Sequence, residues 1–60
     1  MFKVDQKIKL DGEAWTIEAI GAQTATETIL NCFDHKDINR RRGMICWVNN
    51  STLETRNANQ

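Results

Sequence analysis

The dipeptide Asp11-Gly12 stands between two short alternating runs, Ile8-Lys9-Leu10 before it and Trp15-Thr16-Ile17 after it. Asp-Gly readily adopts the positive φ angles at both central positions of a two-residue hairpin turn, and such turns match the right-handed twist of the strands they join. Residues 8–20 are therefore expected to form a β-hairpin with Trp15 and Ile17 on one face. The remaining residues are then organised around that hairpin.

Size limits what can be built there. With 60 residues the chain is one domain. A domain so small buries only about 60% of the surface its unfolded chain exposes, which leaves a small core and little room for a deep catalytic cleft. Eight basic and eight acidic residues cancel, so no global field draws the chain to nucleic acid or a membrane, and any electrostatic role has to be local. No stretch approaches the roughly 18 apolar residues that span a bilayer as a helix. The opening Met1-Phe2-Lys3-Val4-Asp5 lacks the apolar centre of a secretory signal, so a cytoplasmic location without a membrane partner is expected. Without such a signal the formal glycosylation sequons in Asn49-Asn50-Ser51-Thr52 read as turn residues. In a reducing compartment Cys32 and Cys46 are expected to be buried thiols that act as small apolar side chains.

Phe2, Val4, Ile8 and Leu10 share one parity, broken at Gln6, while Lys3, Asp5, Lys7 and Lys9 take the other. This period of two predicts a half-buried first strand with one wet side. The second strand carries Trp15, Ile17 and Ala19 in alternation and is expected to end at Gly21, with 22–26 as a surface loop. β-Branched and aromatic residues at Thr28, Ile29 and Phe33 place a third strand from Glu27 to Asp34. A polar loop then leads to Gly43 and a fourth strand, Met44 to Val48. Asn49 to Thr52 should stop it, because such side chains bond to neighbouring backbone. Leu53 is expected to tuck back from one turn of 3₁₀ helix before a fifth strand, Glu54 to Arg56.

Five short strands, one tight hairpin and a brief turn before the last strand resemble the SH3-like barrels. The expected fold is therefore all-β, a five-stranded SH3-like small barrel over 1–56 with a short 3₁₀ turn before the last strand, followed by a frayed C-terminal tail over 57–60. More narrowly, Met1-Phe2-Lys3-Val4, Gly12, Thr16-Ile17, Gly21, Cys32-Phe33-Asp34 and Thr52-Leu53-Glu54 are similar to the pattern of the small YodC-like proteins. The match is thin but runs along most of the chain. It departs where that family has Gly-Asp after Val and this chain has Asp5-Gln6, and in a longer, more basic loop after Asp34. The resemblance implies a fold and no particular activity.

If the third and fourth strands pair with Cys32 opposite Cys46, then Leu30, Cys32, Met44, Cys46 and Val48 share one face, and Ile29, Phe33, Ile45 and Trp47 share the other. Both faces are apolar, and a barrel has only one inside. Small barrels fill with compact side chains, so the aliphatic and thiol face is expected to be the core. Ile29, Phe33, Ile45 and Trp47 would then form an outward patch with the composition of a protein-binding surface. Two other outcomes stay open. The hairpin could bend so strongly that both sets are partly buried, or two chains could pair through the patch as a homodimer.

Arg40-Arg41-Arg42 is the sharpest feature of charge. From Asp34 to Arg42 four bases stand against two acids, whereas residues 1–33 carry three bases against five acids. Adjacent guanidinium groups can grip carboxylates or phosphates with paired hydrogen bonds, so Arg40, Arg41 and Arg42 join the patch as the expected protein-binding set. The alternative is a nucleic-acid-binding regulatory protein that uses Lys36, Arg40, Arg41 and Arg42. The absence of Tyr and the acidic first part of the chain favour a protein partner.

Signals for catalysis are poor. His35 lies between Asp34 and Lys36, but no nucleophile stands at a spacing that makes a triad legible. Cys32, His35 and Cys46 make an incomplete zinc set that only Asp34 or Asp37 could finish. No phosphate-binding glycine loop is present. Neither an enzyme nor a metal or other cofactor is expected. The expected function is that of a non-catalytic macromolecule-binding module, most simply a small protein-interaction or inhibitor protein of the kind that phages and mobile elements carry.

Overall fold

The structure is a computed structural model that describes residues 2–34, 36, 39 and 42–58. Five strands follow one another: β1 (Lys7–Leu10), β2 (Glu13–Gln23), β3 (Glu27–Phe33), β4 (Gly43–Asn49) and β5 (Thr55–Asn57). Each pairs antiparallel with the next, in the order β1-β2-β3-β4-β5. The single sheet curls around its own apolar side as a half-barrel, and no helix occurs among the described residues.

The hairpin turn forms as its residues dictate. Asp11 and Gly12 have φ of 53° and 83°, and Leu10 faces Glu13 across the turn. The expected first strand is shorter than the alternation suggested, because a turn interrupts it at the point where Gln6 breaks the parity. The Gln6 side-chain oxygen accepts from the Lys3 N–H at 2.8 Å, and the Gln6 N–H donates to the Lys3 carbonyl at 3.1 Å. Asp5, at φ 71°, then donates its N–H to the Ile17 carbonyl, so the segment before β1 still leans on β2.

β2 does not stop at Gly21 but continues to Gln23. Its register with β3 slips between Ile17 and Ala19, and again between Ile20 and Gln23. A Cβ at Gly21 would lie 3.3 Å from the Cβ and Cγ2 of Ile29. This glycine therefore marks a close approach of two strands inside the sheet, which explains a residue that from sequence alone resembles a strand terminator.

β3 and β4 pair with Leu30 opposite Cys46 and Cys32 opposite Met44, not with the two cysteines opposite each other. A slip of two residues preserves side-chain parity, so the division of faces survives the changed register. The core consists of Ile8, Leu10, Trp15, Ile17, Leu30, Cys32, Cys46 and Val48, with Phe2, Met44 and Leu53 packed against it. Full burial of Leu10, Ile17, Leu30 and Val48 contributes about 1.5–3 kcal/mol for each side chain.

Residues 50–52 form a hydrogen-bonded turn closed from the Leu53 N–H to the Asn49 carbonyl at 3.0 Å. Asn49 Oδ1 also accepts from the Ser51 and Thr52 N–H groups at 2.8 and 3.0 Å, and Leu53 turns back onto the core at φ 63°. β5 begins one residue later than expected and includes Asn57, which the sequence had assigned to the tail.

Asn50 ties this turn to the far end of the sheet. Its Oδ1 accepts from the buried Thr28 hydroxyl at 2.7 Å, its Nδ2 donates to the Thr24 and Ala25 carbonyls at 3.3 and 3.4 Å, and its N–H donates to the Thr26 carbonyl at 2.8 Å. Replacing Asn50 by Ala removes the partner of the hydroxyl of Thr28, a residue only 1% exposed, at a cost of about 1–3 kcal/mol. Urea unfolding should show that loss for Asn50→Ala. The double variant Asn50→Ala with Thr28→Val should lose less than the sum of its single changes, because no orphaned hydroxyl remains.

Candidate functional site

The outer face of β3 and β4 follows from parity. Ile29 lies directly opposite Trp47, Asn31 opposite Ile45, and Phe33 opposite Gly43. Ile29, Trp47, Ile45 and Phe33 thus form one diagonal band outside a sheet whose inside is already filled. Ile45 is 53% exposed, whereas Ile29, Phe33 and Trp47 are half-buried. Ile45 is therefore the most open member of the band. Beside Ile45, an open groove of about 710 Å³ runs along Asn31, Gly43, Met44, Arg56 and Asn57.

Part of the cover over Trp47 comes from Arg56, its cross-strand partner on β5. The guanidinium lies 5.0 Å from the ring centroid and donates from Nε and one NH group to the two Glu27 carboxylate oxygens at 2.8 and 3.0 Å. A planar guanidinium can stack on the ring and present its edge to a carboxylate at the same time. The bond from Arg56 holds the Glu27 carboxyl below its ordinary value of 4.5. Sequence reasoning missed Arg56 because Glu27 and Trp47 meet it only once the sheet is assembled.

Arg42 is used in the same way at the other end of β4. It donates to Glu13 at 2.7 Å and to Asp34 at 3.1 Å, and it lies 5.2 Å from the centroid of Trp15. Asp34 in turn accepts from the Lys36 N–H at 2.9 Å and donates its own N–H to the Arg42 carbonyl at 2.8 Å. Of the expected arginine set, Arg42 thus braces the base of its loop against β2, while Arg40 and Arg41 lie outside the described residues. Lys36 is exposed and lines a polar hollow of about 430 Å³ with Lys9, Glu13, Asp34 and Arg42.

The two thiols belong to the core. Cys32 and Cys46 are 1% and 5% exposed. Burial first, and the neighbouring Cys46 second, push the Cys32 thiol up to about 11. Burial, then the Asp11 carboxylate, raise that of Cys46. Both are neutral thiols at physiological pH and pack as small apolar groups. Of the other candidate zinc ligands, Asp34 accepts from Arg42 and the Lys36 N–H, and His35 and Asp37 lie outside the described residues.

No family model, curated protein or solved structure matches this chain. No helix among the described residues is long and apolar enough to cross a membrane.

The Glu27–Arg56 pair sets a pH dependence. A carboxyl whose value is lower in the folded than in the unfolded chain stabilises the fold above the ordinary value, and that stabilisation is lost as the pH falls through the folded one. Melting curves of the wild type should fall in that acidic window. Those of Arg56→Gln should fall less there, so that the two proteins converge in stability once the carboxyl is protonated.

Proposed function

We propose that the chain is a non-catalytic macromolecule-binding module built as an SH3-like small barrel, and that it acts as a small protein-interaction or inhibitor protein. The observation that carries this reading is Ile45, more than half exposed on a central strand, between the half-buried rings of Phe33 and Trp47 and beside an open groove. A sheet that has already filled its interior gains only strand propensity and neighbour packing from a branched aliphatic side chain there, whereas a partner would gain an anchor. Ile29, Phe33, Ile45 and Trp47 supply the apolar centre. Arg56 joins them as a rim, and Arg40 and Arg41 belong to the proposed set on their sequence alone.

A protein partner is favoured over nucleic acid because Arg42, one of the cations a phosphate backbone would need, is already held by Glu13 and Asp34. The resemblance to YodC-like proteins supports the barrel and leaves the partner open.

The test is capture from cell extract by the tagged protein, with and without nuclease, followed by mass spectrometry. Ile45→Glu should keep its melting temperature to within about 4 °C, as surface changes do, and should lose the protein captured by the wild type. Capture that disappears with nuclease but survives Ile45→Glu would favour the nucleic-acid reading through Lys36 and the arginine loop. Concentration-dependent mass in light scattering, abolished by Ile45→Glu, would make a second copy the partner.

A further inference from the structure

β1 ends the sheet, and among the described residues no strand pairs with its outer side. The hairpin decides which of its residues face that edge. In a two-residue hairpin the residues flanking the turn, Leu10 and Glu13 here, form a hydrogen-bonded pair, and bonded and non-bonded pairs then alternate along the ladder. Ile8 with Trp15 is therefore the next bonded pair, whereas Lys9 with Ala14 and Lys7 with Thr16 are not. The N–H and C=O groups of Lys7 and Lys9 point away from β2, to the open edge.

The same two residues carry charge there. Both are exposed, and neither ammonium has an ion-pair partner among the described residues, while Arg42 and Arg56 are both paired to carboxylates. Between residues 2 and 10, Lys3, Lys7 and Lys9 stand against Asp5 alone. Lysines on an edge strand oppose pairing with a second copy, because like charges would face one another across the new ladder. They favour an opposite pattern for the same reason, so one arrangement excludes self-pairing and selects a partner.

We propose that the outer edge of β1 accepts an extended segment of a partner protein bearing acidic residues at alternate positions, which adds to the sheet as a further strand. Running antiparallel, such a segment would form bonded pairs with Lys7 and Lys9, and the side chains opposite them, two residues apart, would lie on the same outer face. Carboxylates at those positions meet the two ammonium groups while the backbones exchange hydrogen bonds. The phosphates of a nucleic acid only accept and cannot pair with the Lys7 and Lys9 carbonyls as the regularly spaced N–H groups of a peptide strand would, so the geometry favours a peptide over nucleic acid. This edge is separate from the band on β3 and β4, and its test does not depend on that reading.

The probe is a short synthetic peptide with Glu at alternate positions among Thr and Val, compared with a peptide of the same composition whose Glu residues are contiguous. In amide hydrogen exchange followed by NMR, saturating alternating peptide should slow the Lys7 and Lys9 amides by about tenfold or more, and the contiguous peptide should not. The exposed double variant Lys7→Glu, Lys9→Glu should keep the wild-type spectrum elsewhere, lose the acidic peptide and bind a counterpart with Lys at alternate positions. Lys7→Gln, Lys9→Gln should show weakened binding of the acidic peptide. Equal protection by both peptides, no protection at Lys7 and Lys9, stronger protection by a single-stranded oligonucleotide, or a charge reversal without effect would overturn the proposal and leave the lysines as guards of the edge.

Discussion

Side chains on β3 and β4 alternate between two faces, and one small curled sheet can enclose only one of them. Leu30, Cys32, Cys46 and Val48 take the inside, where they meet Ile8, Leu10, Trp15 and Ile17 from the hairpin. Everything apolar at the intervening positions is then left outside. The choice fits the space available: Trp15 already supplies a large ring to the interior, and the compact thiols and aliphatic chains of β3 and β4 leave room beside it that the rings of Phe33 and Trp47 would overfill. A core of this size leaves little margin, so the fold draws on polar cross-links as well, with Asn50 joining two loops and the Asp11 carboxylate accepting from the Thr55 hydroxyl at 2.5 Å between the hairpin turn and β5.

Both indole rings, Trp47 on the outer face and Trp15 in the core, lie against a long cation. Arg56 lies over Trp47 and Arg42 over Trp15, each anchored by a carboxylate from another strand or loop. Such half-exposed pairs contribute little individually in water. Their larger effect is positional, since a guanidinium fixed at its edge keeps its flat face on the ring and reduces the apolar area open to solvent. Ile45 has no such cover and is more exposed than either described tryptophan. The outer band of β3 and β4 is thus graded, with Ile45 open beside the partly shielded rings of Phe33 and Trp47.

Much of the fold was legible because its determinants are local. Asp11-Gly12 sets its own backbone, and period-two alternation assigns faces without knowledge of partners. The pairing register of β3 and β4 was not legible, since sliding by two residues leaves every face unchanged and parity cannot tell Cys46 from Met44 as the neighbour of Cys32. Gly21 misled for a related reason: a glycine that ends a strand and one that admits Ile29 from the adjacent strand look the same in sequence. For the candidate site, the four apolar members were visible by parity, but the roles of Arg42 and Arg56 depend on Glu13, Asp34 and Glu27, which only the folded sheet brings near. Lys7 and Lys9 were visible as charges on a wet face. What could not be seen was that β1 is an edge, which makes the same charges a pattern facing outward.

The lysine edge and the apolar band are connected by the sheet itself. Lys7 pairs with Thr16, Thr16 with Phe33 and Phe33 with Gly43, so one row on the outer face runs from the edge of β1 to the start of β4. Thr16 is buried within that row although it points outward, which makes the row continuous between the lysine and the ring. A strand added beside β1 would lengthen this row, and its outward side chains would meet the surface that leads to Phe33 and Ile45. Charge at one end and apolar area at the other give the outer face a direction: a partner that turned from the edge of β1 and crossed the sheet would meet Phe33 before Ile45.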